Sequence, residues 1–369
     1  MTQETVLEVR LEHLTHNYTY LKGKIAETTK FMAVVKAAGY GSEAVSVATH
    51  LQKLGVDAFA VAYVSEGIVL RKAGIKVPIL VLHPQPVRFS ELIRFQLEPN
   101  IYSIRILTEF IKVLDQKNEK AYPVHLKFNT GLNRIGFSSQ EISEIKKMLK
   151  KTEKIEIKGL MSHLAASEDE RERSFTLQQI KDFHKIAYEM TDFLGFQPIL
   201  HQSNTSGILK YPEAHFDMVR SGIGLYGFGN EAIYDQNLKP ISSLKSVISQ
   251  IQILQPGDTL GYNRAFKAKK TTRTATIPIG HADGIGRQYG NRNGFVFING
   301  QKAYILGNVC MDMIMVDVTD IQCQEGDEVI IFGNEKSAAL LAEASGTISY
   351  ELLTAISPRV QRIIVSAKT

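Results

Sequence analysis

A lysine at the end of a short apolar run is the first residue of this chain whose position suggests chemistry. The run, residues 31–36, reads Phe-Met-Ala-Val-Val-Lys and is typical of a strand that is buried on both faces. Partial desolvation lowers the pKa of a lysine in such a place, so that Lys36 could act as a nucleophile toward an aldehyde or as a general base. The alternative is a lysine that leaves the core for solvent, as strand ends normally do.

Four further apolar runs are followed by polar residues at the corresponding place. Arg134 lies in the segment after the fifth run, His163 ends the sixth, residues 203–207 follow the seventh, and Arg220 ends the eighth. In a barrel of parallel strands the carboxyl ends of all strands meet at one face, so these side chains would converge with Lys36 in one polar cluster. A barrel mouth lined by ordinary polar loops is the alternative.

Such a cluster requires about eight strands, and the first two thirds of the chain contains eight short apolar runs. Amphipathic segments with helical spacing separate them, for example residues 142–149 and 175–190. We predict a TIM-like (β/α)8 barrel over residues 11–232, with a doubly wound sheet as the rival, because periodicity does not count strands. The runs are residues 31–36, 57–62, 78–82, 98–103, 123–128, 155–163, 198–203 and 216–220.

After residue 232 the sequence changes to β-rich runs that are separated by Pro, Gly, Asn and Asp turn signals. We predict a C-terminal, mostly β-strand domain over residues 233–369, with antiparallel pairing. A strand-like segment at residues 5–10 could pair with either domain. The predicted strands of this domain are residues 246–254, 275–279, 294–298, 302–306, 313–318 and 328–332.

Composition and charge limit the class of protein. The chain has 369 residues, 44% hydrophobic and 22% charged, which excludes a disordered or fibrous protein. The net charge of +5 is weak evidence for nucleic acid. Cys310 and Cys323 make neither a disulfide framework nor a zinc pattern, so we expect no metal. The chain shows no secretory signal and no apolar run of about 18–20 residues, so we expect a cytoplasmic protein without a membrane partner.

A glycine-rich segment follows the eighth run. Residues 222–227, Gly-Ile-Gly-Leu-Tyr-Gly, match the dinucleotide pattern G-x-G-x-x-G, but that motif belongs after the first strand of a βαβ unit. Backbone N–H groups at this place are better suited to a phosphate, which barrels commonly bind after strands seven and eight. The Thr205 hydroxyl could donate to the same phosphate. Tight turns alone are the alternative explanation for the glycines.

Three fragments of the predicted β-domain combine turn residues with reactive groups. Tyr262 lies in a polar turn and, taken alone, is a surface aromatic as readily as a catalyst. Asp283 and Asp312 are ordinary turn acids by the same reasoning, and Cys310 beside Met311 is expected to pack. The fragments are residues 261–266, 279–284 and 308–312.

The order of these motifs resembles that of the alanine racemases, fold-III enzymes that use pyridoxal 5'-phosphate (PLP). The resemblance extends from about residue 5 to residue 363. It implies a PLP-binding barrel, a β-domain that carries a second catalytic base, and interconversion of L- and D-alanine to supply peptidoglycan. It also implies a homodimer with shared active sites. The matching motifs are residues 33–41 (Ala-Val-Val-Lys-Ala-Ala-Gly-Tyr-Gly), 129–136 (Asn-Thr-Gly-Leu-Asn-Arg-Ile-Gly), 219–227, 280–284 and 309–312.

The resemblance also implies roles for the residues that contact the substrate. Lys36 would bind PLP covalently and act as the base on one face of the substrate Cα. Tyr262 of the partner subunit would act on the opposite face. Arg134 would contact the PLP phenolic oxygen and the substrate carboxylate, with help from Met311, and Asp312 would support this region.

The remaining roles implied by the resemblance concern the cofactor. Arg220 would donate to the pyridine nitrogen, and His163 would link Arg220 to Tyr262. Lys127 matches a lysine that some members carry as a carbamate, where it positions the neighbouring arginine. The other cofactor-binding residues would be Asn204 and the four that hold the phosphate, Tyr40, Thr205, Gly222 and Ile223.

Five positions depart from the common pattern of the family. Ala38 stands where Asn or Asp is frequent, and Thr205 where serine is usual. His281, Asn308 and Pro358 replace a tyrosine, an arginine and a tyrosine near the substrate entry. These changes motivate a broader-specificity or serine racemase as the alternative. A non-catalytic PLP-binding protein is a further alternative, against which Tyr262 argues, and a dehydrogenase rests only on the glycine pattern.

Overall fold

Each of the eight predicted runs forms a strand of one parallel sheet in the computed structural model, which describes residues 4–333 and 338–365. The first seven strands pair in chain order, and the eighth pairs with the first, with Arg220 opposite Met32. Between the seventh and eighth strands, Asp217 N–H donates to the Leu200 carbonyl at 3.1 Å. The strands are Lys30–Val34, Ala58–Val61, Ile79–Val81, Glu98–Ile101, Tyr122–Lys127, Ile155–Met161, Ile199–His201 and Met218–Ser221.

The pairing of the first and last strands makes a nearly closed barrel and excludes the doubly wound sheet. Strands such as Ala58–Val61 are buried at every position, because helices cover the outside and side chains fill the inside. The predicted (β/α)8 barrel is therefore confirmed. Its helices are Ala44–Lys53, Val64–Lys72, Phe89–Arg94, Ile104–Gln116, Ile142–Leu149, Arg173–Leu194, Thr205–Lys210 and Ala232–Asp235, and Leu11–Lys22 precedes the first strand.

The helix Ile104–Gln116 illustrates how the sequence builds the outer layer. The Ser103 side chain caps it by accepting a hydrogen bond from Ile106 N–H. Four apolar residues at helical spacing then face the sheet and are buried, while the opposite face is polar. Those four residues are Ile106, Leu107, Phe110 and Leu114.

A second compact unit contains Met1–Leu14, Tyr40–Glu43 and Lys239–Thr369, and the barrel unit contains Thr15–Gly39 and Ala44–Leu238. The predicted boundary after residue 232 stays a prediction, as does the assignment of a catalytic base to the C-terminal domain.

The second unit is built on a nine-stranded sheet that is antiparallel except at one edge. The N-terminal strand Val6–Arg10 pairs antiparallel with Ser242–Val247 and parallel with Gln361–Val365, so it belongs to this unit. The predicted run 246–254 is wrong as one strand, because the chain turns between Ser242–Val247 and Gln250–Leu254. In sheet order the strands are Gln250–Leu254, Thr272–Ile277, Ile314–Asp317, Gln301–Leu306, Phe295–Ile298, Glu328–Phe332, Ser242–Val247, Val6–Arg10 and Gln361–Val365.

The mostly β-strand character predicted for the C-terminal region is confirmed. A short hairpin pairs Thr259–Leu260 with Phe266–Lys267, and two helices, Ala338–Ala344 and Ser349–Ala355, precede the last strand. No helix in the described parts of the chain combines the length and apolar character that a membrane crossing requires.

Candidate active site

The backbone that follows the first barrel strand is left-handed. Ala37, Ala38 and Tyr40 have φ angles of 53°, 54° and 51°, and Gly39 has 67°. Left-handed geometry costs about 1–2 kcal/mol for each residue other than glycine, so this turn needs external support. It begins at Lys36, the residue that sequence analysis selected first.

Glu66 provides that support. Its Oε1 accepts a hydrogen bond from Ala37 N–H at 2.6 Å, and its Oε2 accepts from Ala62 N–H at 2.7 Å and Tyr63 N–H at 3.1 Å. Glu66 lies in the first turn of the helix Val64–Lys72, where an acid is favoured by the helix dipole. Glu66 was not among the residues predicted from the sequence, although an acid in the first helical turn after the second strand was a visible signal.

Burial and two charged side chains act on the Lys36 amine. Burial lowers its pKa below the ordinary lysine value, the Arg134 guanidinium lowers it further, and the Glu66 carboxylate opposes both. A larger fraction of the amine is therefore neutral and nucleophilic than in a solvated lysine. The Arg134 loop is organised by Asn129, whose Oδ1 accepts from Gly131 N–H and Asn133 N–H.

Lys127 is a second amine in the barrel, with only 4% of its surface exposed. Burial lowers its pKa to about 7, and the charges of Arg220, Arg134 and Lys36 act in the same direction. Within residues 4–333 and 338–365, no acidic side chain forms an ion pair with Lys127. The neutral amine is therefore well populated at neutral pH, and the surrounding cations favour an anion at this position.

Arg220 lies at the centre of the barrel and is 3% exposed. Its Nη2 donates to the carbonyls of Ser162 (2.8 Å) and Gln202 (3.0 Å) and to His163 Nδ1 (3.1 Å). Its Nη1 donates to His201 Nδ1 at 2.9 Å. Because arginine only donates, both imidazoles must accept at Nδ1.

Both imidazoles are neutral for the same reasons. Burial and the Arg220 charge hold the pKa of His163 well below its usual range, and the same two causes act on His201. A neutral imidazole that accepts at Nδ1 carries its proton on Nε2. His163 therefore presents an Nε2–H donor on the side away from Arg220.

The loops after the seventh and eighth strands meet at Thr205. Its Oγ1 lies 3.1 Å from Ser221 Oγ and accepts from Gly224 N–H at 3.2 Å. A Cβ added to Gly224 would lie 2.7 Å from Thr205 Cγ2, so only glycine permits this approach. No hydrogen bond among the described residues engages the backbone N–H groups of Gly222 and Ile223.

Asn204 caps a helix in this structure. Its Oδ1 caps the helix Thr205–Lys210 by accepting from Gly207 N–H at 2.9 Å, and it also accepts from the Ser167 hydroxyl. Its predicted contact with a cofactor stays a prediction.

The groups in the barrel fit PLP by their chemistry. Lys36 offers an amine of lowered pKa for a covalent bond to an aldehyde, and Arg220 offers a buried donor for a ring nitrogen. The unengaged N–H groups of Gly222 and Ile223 are suited to a phosphate.

The remaining predicted residues lie in the second unit. Tyr262 opens a short 3-10 turn and is 72% exposed, and its carbonyl accepts from Asn308 Nδ2 at 3.2 Å. Met311 is also exposed. Tyr40 is buried, and burial raises the pKa of its hydroxyl.

Arg359 is a residue that sequence analysis missed in this unit. It binds Asp283 through two hydrogen bonds of 2.6 and 3.0 Å and Asp312 through one of 2.7 Å. Asp283 in turn accepts from Gly280 N–H at 2.8 Å. The two acids read from the sequence as ordinary turn residues are thus joined by one guanidinium, which holds the loop next to Met311.

Comparison with family models decides the family. The model described as alanine racemase, N-terminal domain, matches residues 9–229, and the model described as alanine racemase, C-terminal domain, matches residues 241–364.

The chain belongs to the alanine racemase family. Individual relatives agree. An alanine racemase from Thermodesulfovibrio yellowstonii is 38% identical over 96% of this chain and 96% of its own length. The structure of alanine racemase from Clostridium difficile 630 aligns with 100% of this chain and 97% of its own, with 35% identity and a TM-score of 0.92.

A further alanine racemase structure, from Bartonella henselae, is described with covalently bound pyridoxal phosphate. It is 30% identical, covers 98% of this chain and 100% of its own, and has a TM-score of 0.89. The resemblance drawn from the sequence motifs and the prediction that the chain is a racemase are thus confirmed. The roles of individual residues within this alanine racemase family member stay predictions.

Proposed function

We propose that this chain interconverts L- and D-alanine with PLP as cofactor. The observation that carries the proposal is the state of Lys36. Its amine lies at the end of a barrel strand, and burial and the Arg134 charge lower its pKa. The chain also matches both domain models of the family. When bound, PLP acidifies the substrate Cα–H by delocalising negative charge. Lys36 would hold it covalently, Arg220 would donate to its ring nitrogen, and Thr205 with the N–H groups of Gly222 and Ile223 would bind its phosphate.

The phosphate set would also include Tyr40, and Asn204 would support it by capping the helix that starts at Thr205. Arg220 keeps its proton under ordinary conditions, so it would leave a ring nitrogen to which it donates unprotonated. That would limit how much negative charge the ring withdraws and would disfavour side reactions such as transamination.

Racemisation requires removal of a proton from one face of Cα and delivery to the other. One base on each face achieves this without a large rotation of the substrate. Lys36 would serve one face and Tyr262 of the partner subunit the other, so the active unit would be a homodimer with two shared sites. Arg134 and Met311 would bind the substrate carboxylate, with Met311 held by the Asp312 loop.

His163 would help a tyrosine act as a base. An unperturbed tyrosine has a pKa of about 10 and is a poor base at neutral pH. His163 accepts from Arg220 at Nδ1 and therefore has an Nε2–H to donate. Donation to the oxygen of Tyr262 would favour the phenolate, because hydrogen bonding to a charged form lowers its pKa.

Lys127 would carry a carbamate. Its neutral amine attacks carbon dioxide: a C–N bond forms, one C=O π bond opens to give a carboxylate, and one N–H proton leaves, so a neutral group becomes an anion. The new carboxylate would neutralise part of the charge of Arg134, Arg220 and Lys36, the three cations that lower the pKa of the Lys127 amine. It would also hold the Arg134 guanidinium in place for the substrate carboxylate.

Borohydride reduction followed by tryptic mapping tests the cofactor site. The purified holoenzyme should carry a pyridoxyl group on the peptide that contains Lys36, and the Lys36→Ala variant should carry none. Before reduction, the same holoenzyme should convert L-alanine to a racemic mixture, as measured by polarimetry. A pyridoxyl label on another lysine would refute the assignment. In the cell the reaction would take place in the cytoplasm and supply D-alanine for peptidoglycan.

A serine racemase of the same fold is the second candidate. Asn308 replaces the arginine common in the family, and here it donates to the Tyr262 carbonyl, so it shapes the loop that carries the proposed base. His281 is exposed in the same unit. Turnover of L-serine equal to or faster than that of L-alanine would favour this candidate.

A further inference from the structure

A line of hydrogen-bonded side chains continues from Arg220 through the interior of the barrel. Arg220 Nη1 lies 2.9 Å from His201 Nδ1, and His201 Nε2 lies 2.8 Å from His125 Nδ1. His125 Nε2 lies 3.1 Å from Glu98 Oε2. None of these last three residues was selected from the sequence.

The direction of every proton in this line follows from its two ends. Arg220 can only donate, so His201 accepts at Nδ1 and carries its proton on Nε2. That proton is donated to His125 Nδ1, so His125 also carries its proton on Nε2 and donates it to the Glu98 carboxylate. All three bonds therefore point from the cation toward the anion, and each polarises the next.

The line also links this buried cation to an anion. Arg220 is almost fully buried and contacts two carbonyls and two imidazoles but no carboxylate in the described residues. A buried charge without a partner is costly. Glu98 is the anion at the other end of the line, and its side chain is 14% exposed.

The barrel is shaped to hold this line. The rings of His125 and His201 meet edge to face with centroids 5.0 Å apart, and both are buried. The sixth strand has Gly159 beside them, where an added Cβ would lie 2.5 Å from His125 Nδ1. Glycine in the interior of a strand weakens it, so its presence here marks space that the imidazole needs.

Glu98 is the first residue of its strand and lies at the face of the barrel opposite the strand ends that carry Lys36. It lines a cavity of about 930 Å³ together with cationic residues that include Arg71 and Lys120. Glu119 lines the same cavity but has no hydrogen bond to His125. Glu98 and Glu119 are thus a matched pair for mutagenesis: both line the cavity, but only Glu98 hydrogen-bonds to His125 among the described residues.

We propose that His201, His125 and Glu98 are positioning residues that fix the orientation of Arg220 and compensate its charge for racemisation. The proposal deepens the proposed function and rests on it where activity is concerned. Its structural part, the proton positions of two imidazoles, does not depend on PLP.

Imidazole ¹⁵N NMR on the purified wild-type protein, free of PLP, tests the proton positions. His125 and His201 should each carry a single ring proton, on Nε2. A Glu98→Leu variant removes the acceptor of the His125 Nε2–H, so it should shift the Nε2–H resonance of His125, while the hydrogen bond from His201 keeps the tautomer. A proton on Nδ1 of either wild-type ring, or an unchanged His125 signal in Glu98→Leu, would overturn the proposal even if the protein racemises alanine normally.

A charge-only variant tests the consequence for the reaction. Glu98→Gln keeps an oxygen acceptor for His125 but removes the negative charge. We expect kcat for L-alanine to fall about 10-fold to 100-fold, the range typical when a group that hydrogen-bonds to a metal-ligating histidine is lost. The absorption maximum of the bound cofactor should shift in the same variant. Glu119→Gln removes the same charge from the same cavity and should leave both unchanged.

The two possible failures are distinguishable. If wild-type holoenzyme neither racemises alanine nor labels Lys36, the proposed function is wrong and the NMR result still decides the proton positions. If wild type is active and Glu98→Gln matches Glu119→Gln in kcat and absorption, the hydrogen-bonded line has no role in the reaction. If Glu98→Gln fails to bind PLP while Glu119→Gln binds it, the proposed positioning role of the line is supported.

Discussion

Glu66 offers a sharp test of how the fold prepares Lys36. A Glu66→Gln substitution keeps the size of the side chain but leaves one oxygen where there were two. If that oxygen remains with Ala62 and Tyr63, the amide NH2 faces Ala37 N–H, and two donors oppose each other at a site now spanned by a 2.6 Å hydrogen bond. We expect the left-handed turn after Lys36 to loosen.

The magnitude follows from the bonds lost. A hydrogen bond to a charged acceptor contributes about 1.5–3 kcal/mol, and water can reach the exposed Ala37 N–H, so the lower part of this range applies. A loss of about 2 kcal/mol in the placement of Lys36 corresponds to a decrease of about 30-fold in kcat/KM. The protein should remain folded, because the barrel core does not depend on this turn.

The pKa of Lys36 gives a readout with a definite sign. Glu66 raises this pKa against the effects of burial and Arg134, so its neutralisation should lower the pKa further. The amine then becomes neutral at lower pH, and the pH profile for PLP binding to apoenzyme should move toward acid. Glu91→Gln, at a surface ion pair with Arg88, is the matched control. An unchanged profile and unchanged kcat/KM in Glu66→Gln would refute the reasoning.

Three further predictions concern other parts of the site. With ¹³C-bicarbonate, Lys127 should give a carbamate NMR signal that weakens as pH falls through about 7, where its amine becomes protonated. Gly224→Ala should displace Thr205 and raise the dissociation constant of PLP by about 10-fold, since overpacking costs about 1–3 kcal/mol. Arg359→Met should release Asp312 and raise KM for alanine more than it lowers kcat, measured by steady-state kinetics.

Each of these three has a control. A Lys127→Met protein should show no carbamate signal, and an equal signal would place the carbamate elsewhere. Gly23→Ala, whose added Cβ has no neighbour closer than 3.3 Å, should bind PLP normally, and equal weakening in both alanine variants would contradict the packing argument. Arg292→Met breaks a surface ion pair with Asp317 in the same unit and should leave KM unchanged.

The barrel was predictable because its signals are local. Each strand such as Ala58–Val61 is a continuous apolar run, because the strand is buried on both faces. The N-terminal strand Val6–Arg10 was visible as a strand, but its partners were not, because pairing with Gln361–Val365 joins residues that are hundreds of positions apart. The turn between Val247 and Gln250 was missed because no glycine or proline marks it.

In the site, the order of motifs pointed to Lys36, Arg134, His163 and Arg220, because strand ends of a parallel barrel converge. Glu66 and Arg359 were missed because their importance lies in what they hydrogen-bond across the fold. The structure shows Asn204 capping a helix, and its predicted contact with a cofactor stays a prediction.

The amino-acid sequence by itself determined the architecture and the family, since these depend on apolar periodicity and on motif order along the chain; the PLP-binding residues that it indicates stay predictions. Only the tertiary structure decided how the charges are balanced. Lys127 faces three cations, and Glu98 joins Arg220 through His125 and His201. Such pairings depend on distances of about 3 Å between residues remote in the chain, and hydrogen bonds of that length form only after the barrel has closed.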